Sequence, residues 1–110
     1  MNNNNFFKVE IGKVKSKYLK NSHFKYYLYL YKSTNFETRK GIFENRYTEA
    51  NTLDYICKWL NISKNELLSN CGFDFKILNN NILFKNRKSS ELAKQKIESL
   101  ILMNRLIDVN

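Results

Sequence analysis

The clearest strand signal in this sequence is the alternating segment Lys25-Tyr-Tyr-Leu-Tyr-Leu-Tyr-Lys32. Side chains of a β-strand point alternately to the two faces of its sheet. One face of this strand would carry Tyr27, Tyr29 and Tyr31, and the other would carry Tyr26, Leu28 and Leu30. Tyrosine and leucine at this spacing fit a pleated, half-buried surface. The sequence therefore predicts a strand over residues 23–32 whose two faces differ in chemistry.

A further strand is predicted on each side of this one. Residues 7–11 alternate apolar and charged side chains, which is the period of a strand. Gly12 follows and indicates a bulge or the end of that strand. After the central strand, residues 33–35 favour a turn. Residues 36–43 can then pair back as a third, mostly antiparallel strand.

A helix is predicted next, because Leu53, Ile56, Cys57 and Leu60 recur at the spacing of one helix face. Thr48 is the expected N-cap of this helix.

A second, shorter helix follows directly. Ser63 and Glu66 stand at the spacing of a capping box, and Ile62 and Leu67 stand where a hydrophobic staple belongs. Gly72 is expected to end this helix in a left-handed conformation.

The last third of the chain predicts a hairpin and a long helix. Residues 73–77 alternate again, and an asparagine run over 79–81 favours a turn before the next short strand. Ser89 or Ser90 is the expected cap of the final helix. The predicted core stripe of that helix is Ala93, Ile97, Leu100 and Ile101.

The resulting order is βββ-αα-ββ-α, a small α+β domain with an N-terminal antiparallel sheet, two short helices, a hairpin and a long C-terminal helix. At 110 residues the chain is long enough for one domain. We assign that domain to residues 6–110 and expect residues 1–5 to be a disordered polar tail.

Positive charge is concentrated in the first third of the chain. The chain carries +9 overall, and residues 8–40 hold nine Lys/Arg against two acidic residues, a local +7. A basic surface of this kind is typical of proteins that bind nucleic acid. The candidate phosphate contacts in this segment are Lys8, Lys13, Lys15, Lys17, Lys20, Lys25, Lys32, Arg39 and Lys40.

Two further groups could act with these cations. Lys85, Arg87 and Lys88 precede the last helix, where they could hold a phosphate together with the capping amides. Tyr27, Tyr29 and Tyr31 could stack unpaired bases if they are exposed. The alternative is that the tyrosines pack under the helices and that the lysines protect an edge strand from aggregation.

Residues 53–72, followed by the hairpin of residues 73–86, resemble the helix-turn-helix and wing of excisionase-like DNA-binding domains. Cys57 is the small residue in the first helix, and Asn61 stands where the turn usually has glycine. The resemblance implies that the second helix reads base edges. The residues available there are Lys64, Asn65, Ser69 and Asn70. A plain helical corner is the alternative.

The order hairpin, helix, hairpin, helix is also similar to one half of a homing endonuclease core. The acidic, glycine-containing first helix of that family is absent here, as is its metal-binding acid at the expected place. Such a resemblance implies DNA binding without cleavage.

No pattern of catalytic residues is evident. His23 is the single histidine, and it has no acid-and-nucleophile pattern nearby. Cys57 and Cys71 lack the paired ligands of a zinc site, and we expect them to be buried and reduced. Three glycines do not make a phosphate loop. We therefore expect no enzyme, no metal and no cofactor.

These observations predict a non-enzymatic nucleic-acid-binding protein, with DNA ahead of RNA. The proline-free, Asn- and Lys-rich composition indicates an AT-rich gene, as in a phage, plasmid or other mobile element. The alternatives are a protein-interaction module, such as a phage-encoded inhibitor of a host defence or replication factor, and an organellar ribonucleoprotein component.

The sequence also predicts the location of the protein and its self-association. With no membrane span and no secretory signal, we expect it in the cytoplasm or an organellar matrix, and not secreted. The last helix carries more apolar side chains than one packing face needs, on the side of Leu102, Leu106 and Val109. This excess predicts a homodimer through the helix.

Overall fold

A computed structural model describes residues 6–15 and 24–108 of the chain, the side chains of residues 6 and 104–108 excepted. The model has an α+β fold, and its element order confirms the predicted βββ-αα-ββ-α arrangement. The strands and helices are β1 (Phe6–Lys13), β2 (Tyr26–Glu37), β3 (Phe43–Ala50), α1 (Leu53–Leu60), α2 (Lys64–Ser69), β4 (Phe75–Leu78), β5 (Asn81–Phe84) and α3 (Arg87–Asp108).

The five strands form one antiparallel sheet organised around β2, the longest strand. Strand β1 pairs along one side of β2, with Val9 opposite Leu30. The other side of β2 is shared, because β5 pairs with its first two residues and β3 pairs with it from Leu30 onward. Strand β4 completes the sheet beyond β5. Every part of the sheet is therefore positioned by β2 or by its direct neighbour β5.

The core lies on one face of the sheet, under the helices. Leu28 and Leu30 of β2 are each 1% exposed and belong to the same buried cluster as Ile56 of α1, Leu67 of α2 and Ile97 of α3. Burying an aliphatic side chain of this size contributes about 1.5–3 kcal/mol. The leucine side of the predicted alternation is thus the side that the helices cover.

Helix α1 contributes the stripe that its sequence predicts. Leu53, Ile56 and Cys57 are buried and Leu60 is half-buried. Its N-cap is Thr52, whose Oγ1 accepts a hydrogen bond from the Tyr55 amide at 3.3 Å. The prediction of Thr48 as this cap was wrong, because β3 continues through Thr48 as far as Ala50.

Helix α2 begins as predicted and ends earlier than predicted. Ser63 Oγ accepts from the Glu66 amide at 3.1 Å, and Leu67 is fully buried next to the half-buried Ile62. The helix ends at Ser69 with Asn70 as its C-cap. Gly72 has the expected positive φ of 79°, but it lies beyond that end.

The turn between β2 and β3 is the main departure from the sequence prediction. Residues 33–35 were predicted to turn, yet β2 runs through them to Glu37. The chain reverses at residues 38–42, where the Thr38 amide donates to the Ile42 carbonyl at 2.8 Å. Gly41 supplies the positive φ of 74° that this reversal needs. Strand β3 is consequently Phe43–Ala50 and not residues 36–43.

The second hairpin and the last helix differ from their predictions only at their ends. Asn79 and Asn80 both have positive φ, which is the conformation of a two-residue hairpin turn. Strand β4 begins at Phe75, and Phe73 is fully exposed before it. Helix α3 begins at Arg87, and Asn86 Oδ1 accepts from the Ser89 amide at 2.8 Å. Asn86, not Ser89 or Ser90, is therefore the cap.

The predicted homodimer through α3 stays a prediction. Ala93 and Ile97 are buried, Ile101 packs against the core, and Leu102 and Met103 are exposed. The side chains of Leu106 and Ile107, together with Val109, lie outside the described residues.

The predicted tail of residues 1–5 and the basic segment around Lys17, Lys20 and His23 also lie outside the described residues. In the parts that the structure describes, no helix combines the length and the apolar character needed to cross a bilayer.

We expect Ser63→Ala to lower the free energy of unfolding by about 1 kcal/mol, because the Glu66 amide loses its capping acceptor. Ser69→Ala is the matched control on the same helix. The Ser69 hydroxyl donates to the Glu66 carbonyl inside the helix, so removal of this hydroxyl should have little effect on the free energy of unfolding. Urea denaturation of the two variants measures the difference. Equal stabilities would contradict the role of Ser63.

Candidate nucleic-acid interface

The face of the sheet opposite the helices carries a row of tyrosines. We call this surface the open face, and we call Tyr27, Tyr29, Tyr31 and Tyr47 the tyrosine row. The first three belong to β2 and are half-buried, whereas Tyr47 of β3 is 54% exposed. The tyrosines therefore do not pack under the helices, which was the alternative that the sequence left open.

Neighbouring rings of the tyrosine row lie against one another. The centroids of Tyr27 and Tyr29 are 5.4 Å apart with an interplanar angle of 31°. Those of Tyr31 and Tyr47 are 5.3 Å apart and nearly parallel, at 17°. Such ring pairs hold each other in place, because aromatic contacts of this geometry stabilise by about 0.5–1.5 kcal/mol beyond burial. The row therefore consists of two pairs of contacting rings and not of four independent side chains.

Strand β1 borders the row through its residues on the same face. Lys8 lies opposite Tyr31, Glu10 opposite Tyr29, and Gly12 opposite Tyr27. A Cβ on Gly12 would overlap the ring of Tyr27, so the absence of a side chain there lets this ring lie across β1. The sequence had indicated only a bulge or a strand end at Gly12.

Two carboxylates lie near the middle of the row. Burial raises the pKa of Tyr29, and the nearby carboxylates of Glu10 and Glu49 raise it further. The pKa of Tyr27 is raised by burial and then by Glu49. Both phenols therefore stay protonated and uncharged at neutral pH. Glu10 is 3.7 Å from the exposed Lys8 ammonium, a surface pair of little energetic weight.

The structure places three of the predicted phosphate contacts near the tyrosines. Lys8 lies opposite Tyr31 on the open face, and Lys13 and Lys15 line the same recess as Tyr27. Lys13 is paired with Tyr26, so it reaches this recess from the helical side of β1. Lys32 faces the other way, with its ammonium 4.6 Å from the centre of the Trp59 ring in the helical layer. The remaining described cations lie elsewhere: Lys25 just before β2, Arg39 and Lys40 in the turn between β2 and β3, and Lys85, Arg87 and Lys88 around the start of α3.

The candidate base-reading residues of α2 are mostly occupied within the protein. The helix is six residues long. Lys64 pairs with Asp54 at 3.0 Å, and this contact lowers the pKa of the Asp54 carboxyl. Ser69 Oγ and Asn70 Nδ2 both donate to the Glu66 carbonyl. Asn65 is exposed.

The two thiols belong to the core. Cys57 and Cys71 are free and buried, and burial raises the pKa of Cys71 to about 12. Burial also raises the pKa of Cys57. Both thiols are therefore protonated at neutral pH, which makes them poor nucleophiles. Within the described residues, no three His, Cys, Asp or Glu side chains cluster as they would around a metal ion.

Sequence reasoning missed Tyr47 and Glu49 as parts of this surface. The cause was the misplaced turn, which left residues 44–50 outside any strand. The signal was present, because Phe43, Asn45, Tyr47 and Glu49 alternate with the other residues of β3 and so share one face.

Comparison of the chain with protein-family models, with curated proteins and with solved structures found no match.

We expect Gly12→Ala to move the Tyr27 ring and leave the fold intact, because the new methyl group meets the mobile end of a side chain. NMR signals of the Tyr27 and Tyr29 rings should shift, while the Leu28 and Leu30 methyl signals stay in place. Unchanged ring signals would show that Tyr27 does not lie across β1.

Gly41→Ala is the matched control for this substitution. A methyl group on Gly41 meets no atom, but its φ of 74° is unfavourable for alanine. This variant should lose about 1–2 kcal/mol of stability and leave the Tyr27 signals unchanged.

Proposed function

We propose that this protein binds single-stranded nucleic acid on the open face of its sheet, without catalysing a reaction on it. The observation that carries the proposal is the tyrosine row on the face that the helices leave uncovered. Stacking of a base on an aromatic side chain contributes about 1–3 kcal/mol per base. Three or four such contacts would give a useful affinity without sequence-specific hydrogen bonds.

A single strand fits this surface better than a duplex. Tyr27, Tyr29 and Tyr31 are half-buried, so each offers part of its ring surface on the open face. In a duplex the faces of the bases are covered by their neighbours, and only unpaired bases can lie on such rings. The sequence predicted DNA ahead of RNA, and the experiment below compares the two.

Cations beside the row supply the contacts to phosphate. Lys8 lies opposite Tyr31, and Lys13 and Lys15 line the recess beside Tyr27 at the far end of the row. The net charge of +9 adds a long-range attraction for any polyanion. The strand would thus run along β2, with its bases on the tyrosines and its backbone toward β1.

A protein partner is the second candidate, because the carboxylates of Glu10 and Glu49 lie close to Tyr29. An aromatic surface with carboxylates at its centre can receive arginine or lysine side chains. This arrangement favours an interaction module, such as an inhibitor of a host defence or replication factor. Such a module would bind one protein at a fixed stoichiometry and would have little affinity for nucleic acid.

The proposal is tested by fluorescence anisotropy with labelled oligonucleotides of about 12 nucleotides, a length within the site size of single-strand binding folds. Single-stranded DNA, single-stranded RNA and the matching duplex are compared. Tyr29→Leu and Tyr31→Leu should each weaken single-strand binding about five- to 150-fold, the equivalent of removing one base–tyrosine stack.

Tyr55→Leu is the matched control, because Tyr55 is 59% exposed on α1 in the helical layer. It should bind as tightly as the wild type. Equally weakened binding in all three variants, or tighter binding to the duplex than to the single strands, would contradict the proposal.

The salt dependence of binding gives an independent prediction for the lysines. Replacing Lys8, Lys13 and Lys15 together by glutamine should flatten the slope of log affinity against log salt by about 0.7 for each phosphate that is no longer neutralised. The control removes the same charge from the helical layer, by glutamine at Lys58, Lys94 and Lys96. Because those lysines are remote from the open face, the control should keep the wild-type slope. Identical slopes in the two triple variants would exclude the β1 border as the phosphate path.

A further inference from the structure

A recess lies at the Tyr27 end of the tyrosine row, where four segments of the chain meet. It has a volume of about 420 Å³, within the range of small-molecule sites. Tyr27 is at this point because it is paired with Gly12 on one side and with Leu83 on the other. The lining comes from Tyr27 of β2, from residues 13–15 at the end of β1, from the β4–β5 hairpin and from Asn51 after β3.

The apolar part of this lining suits a nucleic-acid base. Leu83 is buried and Leu78 is half-buried, and both line the recess together with Tyr27. Leu83 forms the floor of the recess, and Tyr27 and Leu78 keep exposed apolar surface that a base would remove from water. The recess thus continues the tyrosine row with a concave site at its end.

The polar part of the lining suits the edge of a base and its phosphate. Asn51, Asn79 and Asn81 bring side-chain amides, which can donate to and accept from a base edge. The Asn81 amide nitrogen donates to the Asn79 carbonyl at 3.2 Å, and this contact fixes its orientation.

All charged side chains that line the recess are positive. Lys13 and Lys15 are exposed and form no ion pair among the described residues. No carboxylate belongs to the lining. A ligand with a flat base and an anionic group therefore matches this recess in both shape and charge.

We propose that the recess holds one nucleotide of the bound strand, with its base against Tyr27 and Leu78, over the buried Leu83, and its phosphate at the side lined by Lys13 and Lys15. This inference rests on the proposed function, because the strand that lies along the tyrosine row would enter the recess at its end. The recognised chemistry is a nucleoside 5′-phosphate, either free or within a strand.

The first experiment uses the free nucleotide. Protein with ¹³C-labelled leucine methyl groups is titrated with AMP, GMP, CMP and UMP, and separately with ribose 5-phosphate. Ring currents of a bound base should shift the Leu78 and Leu83 methyl signals, and ribose 5-phosphate should not. The Leu92 methyl signals on α3 serve as the internal control. If no nucleotide shifts Leu78 and Leu83, the proposal is overturned, whatever the affinity for oligonucleotides.

The second experiment uses a variant that fills the recess. Leu78→Trp should abolish the nucleotide-induced shift of Leu83 and weaken binding of a single-stranded oligonucleotide about tenfold, the equivalent of one stacking contact. Leu92→Trp, at an exposed leucine of α3, is the control and should bind as the wild type. Asn51→Leu provides a second variant, because Asn51 is exposed and its replacement leaves the core intact. It should weaken nucleotide binding at least threefold.

The outcomes separate the two proposals. Oligonucleotide binding that depends on Tyr29 and Tyr31 but not on Leu78 or Asn51 would overturn the recess as a subsite and support the open face. Shifts of Leu83 by free nucleotide, without any binding of the oligonucleotide, would overturn both the strand subsite and the proposed function.

Discussion

The strict alternation of leucine and tyrosine along β2 determines how the sheet and the helices are arranged. Leu28 and Leu30 must face the helices, because they supply the centre of the core. Once they do, the period of two leaves Tyr27, Tyr29 and Tyr31 on the opposite face. A shift of the register by one residue would place three hydroxyls in the core and two leucines in water. The exposure of the tyrosines is therefore coupled to the stability of the fold.

This coupling explains which features the sequence could predict. The faces of β2, the stripe of α1 and the Ser63 cap of α2 depend on local spacing, and all three were correct. The predicted position of the turn after β2 was wrong, because the sequence has two short polar segments at which the chain could reverse. Residues 33–35 favour a turn by composition, but Gly41 provides a left-handed conformation at residues 38–42. Tertiary pairing of β2 with β3 then extends the ladder through Ser33 and Asn35.

The parts of the candidate site that were missed depend on long-range pairing. The sequence around Gly12 does not indicate that the Tyr27 ring crosses Gly12, because the two residues are brought together only by the β1–β2 register. The position of Lys32 also depends on long-range contacts. It belongs to the basic segment of the sequence, but its ammonium lies over Trp59 on the helical side of the sheet. A count of charges along the chain cannot distinguish the two faces of a sheet.

The short ladder between β2 and β5 has a consequence for how the chain folds. Strands β1, β2 and β3 are neighbours in sequence, so their pairing closes only modest loops. Tyr26 and Phe84, in contrast, are paired although more than half of the chain separates them. Because loop-closure entropy must be overcome before such a distant contact can contribute, we expect the N-terminal meander to form early and the β4–β5 hairpin to dock late. The recess lies on this late-formed junction, so it would exist only in chains that have completed folding.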